Sequence, residues 1–537
     1  MDQGSLAEEL VLPSEEERKR HAAVGMMLAL WARLQPEAPA VLSKAGNRSF
    51  AQLNARSNQL ARALRARGLT EGDAVALVCG NRPEFAELVH ACMRCGLRYT
   101  PVNRHLTPEE IAYIVSDSGA KALIGDARFA ELLSQTASLT PQASVRLAID
   151  GPVPGFESYE AALAEQDGTD IENPKFGSRM LYTSGTTGKP KGVLRPPNYS
   201  TRLFALTDAP NYAPGKGQLN LCTGPLCHGG PLVYSLTLPL TEGVGVVLME
   251  KWDAEEALRL IEAHRITHTH MVPTMFHRLL RLPEEIRRKA DVSSMQYIVH
   301  GAAPCPVETK KAMFDWFGPI IWEYYAATEG SGSSCSPEQW LQKPGTVGKP
   351  PTDDYVKILD DEGEPCAPGE PGTIYLKAPG DSGFEYFNDP GKTQQAHRGN
   401  YFTVGDVGYL DEDGFLFLTD RSADLIVSGG VNIYPAEVEA LLLRHPAVRD
   451  VAVVGVPSTE WGEEVKAVVE HGGEGPAPAA LAEELMRFCR DRLAHFKCPR
   501  SVDFVDKLPR EENGKLYKRQ LRERYRARPG ASTARSS

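Results

Sequence analysis

Short apolar runs alternate with amphipathic stretches through the first third of the chain. Residues 74–79 and 121–124 read as buried strands, while residues 83–95 carry apolar positions at helical spacing. The same rhythm returns in residues 254–264, 266–272 and 295–300. Such alternation predicts an α/β architecture. Around Asp420 the pattern shifts to a compact series: a strand at 424–428, a helix at 435–444, strands at 448–456 and 465–469, a helix at 480–493 and a strand at 502–505. We therefore expect a large N-terminal domain of mixed sheets and helices, residues 1–422, partly flexible near 1–20. A small α+β domain, residues 423–537, follows it. Its Ala/Ser/Arg/Gly-rich end, 527–537, is expected to be disordered.

A length of 537 residues requires at least two domains. With 42% hydrophobic and 24% charged residues the composition is that of a globular protein, and no run approaches the ~20 apolar residues needed to span a bilayer. Arg18-Lys19-Arg20 followed by apolar residues 22–31 imitates a signal peptide. Acidic residues between 8 and 17 precede it and no small-residue cleavage site follows, so an amphipathic helix and a cytoplasmic location are expected.

The ten cysteines are scattered, as reduced thiols are. Cys92 and Cys95 form a lone CxxC in a predicted helix, and His268 and His270 share one face of a predicted buried strand. Structural roles are expected for all four. A net charge of −11 argues against general nucleic-acid binding. Positive charge nevertheless gathers between Arg487 and Arg528, where a solvated helical face and a site for a phosphorylated ligand are both compatible with it.

Residues 183–192 read TSGTTGKPKG. Glycines let backbone N–H groups approach a polyphosphate closely, and Thr183, Ser184, Thr186, Thr187, Lys189 and Lys191 add donors and charge around Gly185 and Gly188. ATP is the first ligand to consider. Only two residues separate Gly185 from Gly188, and Pro190 follows Lys189, so this is not a Walker loop. Further along stand His300-Gly301-Ala302-Ala303-Pro304, then Glu323-Tyr324-Tyr325-Ala326-Ala327-Thr328-Glu329-Gly330 after a strand predicted to end near Trp322. Thr403-Val404-Gly405-Asp406, Asp420-Arg421 and Asn513-Gly514-Lys515 complete the series.

In this order the segments resemble the adenylate-forming superfamily of acyl-CoA synthetases, nonribosomal adenylation domains and luciferases. EYYAATEG and GGVNIYPAEVE look most like bacterial fatty-acyl-CoA synthetases. The resemblance implies a carboxylate and ATP giving an acyl-adenylate and pyrophosphate, after which a thiol displaces AMP. It places Thr328 on the α-phosphate, Glu329 on Mg²⁺, Tyr325 near the adenine, and Asp406 and Arg421 on the ribose. Gly301, Ala302, Ala303, Glu323, Tyr324 and Ala326 line the nucleotide site, with Ala326 where relatives have Gly. Lys515 stabilises charge during adenylation, and Ala423 is the hinge about which the mobile C-terminal domain turns.

For the second step the resemblance implies coenzyme A, with Ser428, Gly429 and Gly430 on the pantetheine tunnel and Trp461, Phe496, Lys497 and Arg500 at its nucleotide end. His228 is expected to gate the acid pocket beside Gly229 and Gly230, and Ala302, Ala303 and Ala326 to leave that pocket roomy and apolar. A medium or long fatty acid or an aromatic acid is expected. The alternative is a specialised enzyme acylating a carrier protein or amine, or activating nitrite for diazotisation. A non-catalytic ATP-binding regulator is disfavoured because the Thr, Glu, Asp, Arg and Lys positions are all filled. Expected partners are the acid, ATP and CoA, with a homodimer allowed.

Overall fold

The computed structural model describes residues 10–183, 190–195, 211–378, 383–421, 424–428, 431–458, 460–473, 475–511 and 514–526, with backbone only at Asp420 and Arg421. Four sheets organise it. One eight-stranded sheet runs Ser331–Cys335, Ile321–Ala326, Tyr297–His300, His268–Met271, Leu219–Cys222, Gly245–Leu248, Pro39–Ser43 and Arg48–Ser49 in spatial order, parallel from Ile321–Ala326 to Pro39–Ser43. A second runs Glu385–Tyr386, Lys191–Leu194, Ser178–Thr183, Arg98–Val102, Ala74–Val78, Ala120–Asp126, Val145–Ile149 and Glu157–Ser158. Helices Phe50–Ala66 and Pro83–Arg94 lie in the largest apolar core, where Val41 and Val246 of the first sheet meet Val75 and Ile124 of the second. This is the predicted α/β layering.

Local signals explain where helices begin and end. Asp253 accepts a hydrogen bond from the Glu256 amide and Glu255 and Glu256 occupy the first turn, so the helix Ala254–His264 starts where the sequence predicts. The apolar stretch 22–31 is not one helix: a turn at Gly25 separates Glu15–Ala23 from Met27–Leu34, and Leu28, Leu30 and Trp31 are buried in the core. No described helix is long and apolar enough to cross a membrane. Cys92 and Cys95 are free and buried. His268 and His270 are buried on their strand, and no group of three or more potential metal-binding side chains occurs among the described residues.

A third sheet, built on Gly372–Lys377, Asp406–Leu410 and Leu416–Arg421, ends at Arg421. The fourth begins at Ile426–Ser428 and centres on the long pair Val448–Ser458 and Gly462–His471, joined in parallel by Ser501–Phe504. Ala423 and the tail 527–537 lie outside the described residues.

Burial keeps four histidines neutral. It pushes His90 and His270 down to about 3 and His268 to about 4, and holds His300 well below its ordinary value of 6.5. Below that ordinary value the unfolded chain takes up protons that the native state refuses. Stability should therefore fall as pH drops from about 6.5 toward 4, each histidine contributing up to about 1.4 kcal/mol per pH unit. Urea midpoints at pH 7.5 and 5.0 check this; equal midpoints would contradict it.

Candidate active site

The strand Ile321–Ala326 carries the centre of the site. Glu323 to Ala326 form its end rather than a loop after Trp322, because the alternating apolar and aromatic side chains continue the pleat and pair with Ser331–Cys335. Alternation sends Glu323 and Tyr325 to one face and Tyr324 to the other. The Tyr325 hydroxyl donates to Asp406 Oδ2 at 2.8 Å. Asp406 pairs in register with Arg421, so the backbone brings the two expected ribose ligands opposite each other. Glu323, 6% exposed, accepts from the fully buried Lys310 Nζ at 2.7 Å, with His300 Nε2 3.4 Å from the same oxygen.

Thr183 pairs with Lys191, so the Gly/Thr-rich loop connects two antiparallel strands, unlike the strand-to-helix setting of a Walker loop. Ser184, Gly185, Thr186, Thr187, Gly188 and Lys189 lie outside the described residues. Lys191 Nζ stands 4.6 Å from the centroid of the Tyr386 ring, and the Tyr386 hydroxyl donates to Glu329 Oε1 at 2.8 Å. Burial, followed by repulsion from Lys392, lowers the Lys191 pKa. The Arg195 guanidinium donates to the main-chain oxygen of Ala327 at 2.9 Å and to that of Thr328, fixing the turn that carries Thr328 and Glu329. Neither Tyr386 nor Arg195 is singled out by the sequence. Tyr386 arrives through strand pairing with Val193, which no local pattern reports.

Glu329 is 7% exposed, a carboxylate without a metal-binding cluster around it among the described residues. Such a donor set fits Mg²⁺, which takes oxygen ligands, typically one or two carboxylates, with phosphates and water filling the rest.

Lys515 lies on the same cavity, of about 1070 Å³, as Ala302, Ala303, Tyr325, Ala326 and Asp406. Arg510 makes a two-pronged ion pair with Asp450 and donates to the Gly514 carbonyl at 2.8 Å, which holds the segment before Lys515. His228 Nε2 is 3.6 Å from Glu511 Oε2, so this side chain faces the Lys515 segment. His228, Gly229 and Gly230 do not line the cavity.

The three alanines line this cavity together with Tyr324. The Tyr324 hydroxyl lies 3.0 Å from His270 Nε2, and the Tyr234 ring lies near both, with centroids 5.7 Å from His270 and 4.7 Å from Tyr324. The backbone of Gly230 presses on this pair so closely that a Cβ there would stand 2.7 Å from the Tyr324 hydroxyl oxygen. One on Gly301 would stand 2.6 Å from the Tyr324 ring. The wall is aromatic with polar tips. Small residues at 302, 303 and 326 could not reveal this, because the aromatic groups belong to other positions.

Of the expected CoA residues, Ser428 pairs with Gly462 and so lies beside Trp461, over whose ring the Arg500 guanidinium sits at 5.0 Å. Phe496 is half exposed. Lys497 Nζ binds both oxygens of Glu437, at 2.7 and 3.0 Å, because its short turn faces the helix Pro435–Leu442. Gly429 and Gly430 lie outside the described residues.

The family model described as AMP-binding enzyme matches residues 28–382, and that of the AMP-binding enzyme C-terminal domain matches 437–515. A 2-succinylbenzoate–CoA ligase of Geobacillus kaustophilus is 36% identical over 91% of this chain and 95% of its own length. A feruloyl-CoA synthase of Amycolatopsis is 33% identical over 94% and 100%. The crystal structure of the anthranilate CoA ligase AuaEII in complex with anthranoyl-AMP superposes with a TM-score of 0.84 at 25% identity, covering 94% of this chain and 97% of that one.

Proposed function

The chain belongs to the AMP-binding enzyme family and is an AMP-forming acid–CoA ligase that works through an acyl-adenylate with ATP, Mg²⁺ and coenzyme A; from that premise we propose that its acid is a compact aromatic carboxylic acid. The observation that carries this reading is the aromatic group Tyr324, His270 and Tyr234 packed against Gly230 and Gly301. A flat ring gains from offset or edge contacts with such aromatic neighbours. Aromatic acids also appear in the names of the relatives above, although a fatty acid–[acyl-carrier-protein] ligase, ScoC of Streptomyces coeruleorubidus, is 33% identical.

In this reading a carboxylate oxygen attacks the α-phosphorus, pyrophosphate leaves, and the CoA thiolate then attacks the acyl carbon while AMP departs. Thr183, Lys191, Thr328 and the loop between 184 and 189 hold the phosphates. Asp406 and Arg421 hold the ribose, and Tyr325, fixed by its bond to Asp406, packs on the adenine. Glu329, oriented by Tyr386, would hold Mg²⁺, which when bound would neutralise triphosphate charge. Lys515 supplies positive charge where negative charge develops. Residues 423–537 turn about Ala423 between the steps and present Ser428, Trp461 and Arg500 to CoA.

The test is pyrophosphate release across straight-chain acids from acetate to dodecanoate and a set of benzoic and cinnamic acids, with and without CoA. Aromatic acids should lead. A kcat/KM that climbs steadily to dodecanoate would refute the compact pocket, and turnover independent of CoA would move the acceptor to an amine or carrier protein. Tyr324→Ala should open the wall, raising kcat/KM for an acid three or four methylenes longer by about 10²-fold, at up to ~0.8 kcal/mol per buried CH₂. No change in preference would remove Tyr324 from the pocket.

A further inference from the structure

One face of the helix Pro273–Leu280 and its C-cap Arg281 meets the C-terminal unit at three successive points. Gly514 seats on Thr274 so closely that a Cβ there would stand 2.5 Å from the Thr274 hydroxyl oxygen. His277 Nε2 lies 3.1 Å from the Arg449 carbonyl oxygen. Arg281 donates to the carbonyls of Pro446, at 3.4 Å, and Val448. Positions 274, 277 and 281 share a side of the helix, while Met275, Phe276 and Leu279 anchor the other side in the core. From Val448 and Arg449 the connection continues: Asp450 binds Arg510 through both oxygens, at 2.6 and 2.8 Å, and Arg510 donates to the Gly514 carbonyl, next to Lys515.

We propose that Arg281 is a positioning residue, latching the C-terminal unit through Val448, Asp450 and Arg510 so that Lys515 is held in the cavity for adenylation and released for thioester formation. This rests on the two-step reading above. The contacts are built for such a role. Arg281 grips main-chain carbonyls, which need no matching side chain, and the Asp450–Arg510 pair is only 15% exposed on either side, so the link is stiff. Its grip ends wholly when the unit turns, because both acceptors belong to that unit. A latch of this kind biases one of two states by the contacts it makes in that state alone.

The test measures both half-reactions in Arg281→Ala and Arg281→Lys, together with amide hydrogen exchange of residues 508–516. Acid-dependent ATP–pyrophosphate exchange should fall about 10-fold in Arg281→Ala, as expected for losing hydrogen bonds from a charged donor. Thioester formation from the preformed adenylate of the best acid should stay within about 2-fold, since no step after adenylation uses the docked state. Arg281→Lys should recover part of the loss, and the amides of 508–516 should exchange faster in Arg281→Ala. Equal loss in both half-reactions, or unchanged protection of 508–516, overturns the latch. A wild-type protein without acid-dependent exchange would instead defeat the functional reading, and the hydrogen-exchange result would still judge the latch. Should Arg281→Ala not fold, Asp450→Asn, one link further along, carries the same expectations.

Discussion

Replacing Lys515 with alanine is expected to lower acid-dependent ATP–pyrophosphate exchange by about 10²–10³-fold, the cost of removing one preorganised donor from a centre where charge develops. Lys515 lies on the cavity shared with Tyr325, Ala302 and Asp406, although it belongs to a segment more than a hundred residues further on. Its segment is held by the Arg510 bond to the Gly514 carbonyl and by the seat of Gly514 on Thr274. Thioester formation from a preformed adenylate should be spared, because in the proposed two-step reading the lysine leaves with its domain before CoA enters. Equal loss in both half-reactions would mean that Lys515 serves the fold or both steps alike, and the assignment of a single-step role would fail. A loss under about threefold in the first step would remove it from the reacting centre.

The second large effect is on stability. Lys310→Met should destabilise the N-terminal domain by about 3–5 kcal/mol, because it leaves a buried carboxylate without its cation. Lys310 is fully buried, its ammonium 2.7 Å from Glu323 and 4.9 Å from the centroid of the Trp340 ring. Burial pushes the Glu323 pKa up while Lys310 pulls it down, so removing the lysine leaves burial unopposed and the carboxyl takes a proton. The double variant Lys310→Met with Glu323→Gln should recover most of the loss, since replacing a buried pair together is far cheaper than breaking it. Denaturant midpoints of the single and double variants measure this. A single variant within about 1 kcal/mol of wild type would show that the pair is not a structural element of the site.

Particular elements show where local information is sufficient. Residues 254–264 form the helix Ala254–His264 because an Asp253 cap, an acidic first turn and apolar residues at helical spacing all act within a few positions. The alternation in Ile-Trp-Glu-Tyr-Tyr-Ala makes a strand for the same reason, and it continued further than the expected end at Trp322. The change of pattern near 420 lies between the last strand of the third sheet and the first of the fourth. Residues 22–31 were misread as one helix because apolar spacing does not record the turn at Gly25.

The sequence by itself determined the α/β class, the order of the motif segments and the types of side chain available for nucleotide chemistry, all properties of short stretches of chain. Only the tertiary structure decided which of those side chains meet. Strand pairing brought Tyr386 to Glu329, alternation across one strand turned Tyr324 into the wall behind Gly230 and Gly301, and docking of the last strands brought Arg281 into line with Lys515. Periodicity reports which face a residue takes. What stands opposite that face depends on sheet order and domain packing, which join residues far apart in the chain and leave no local trace.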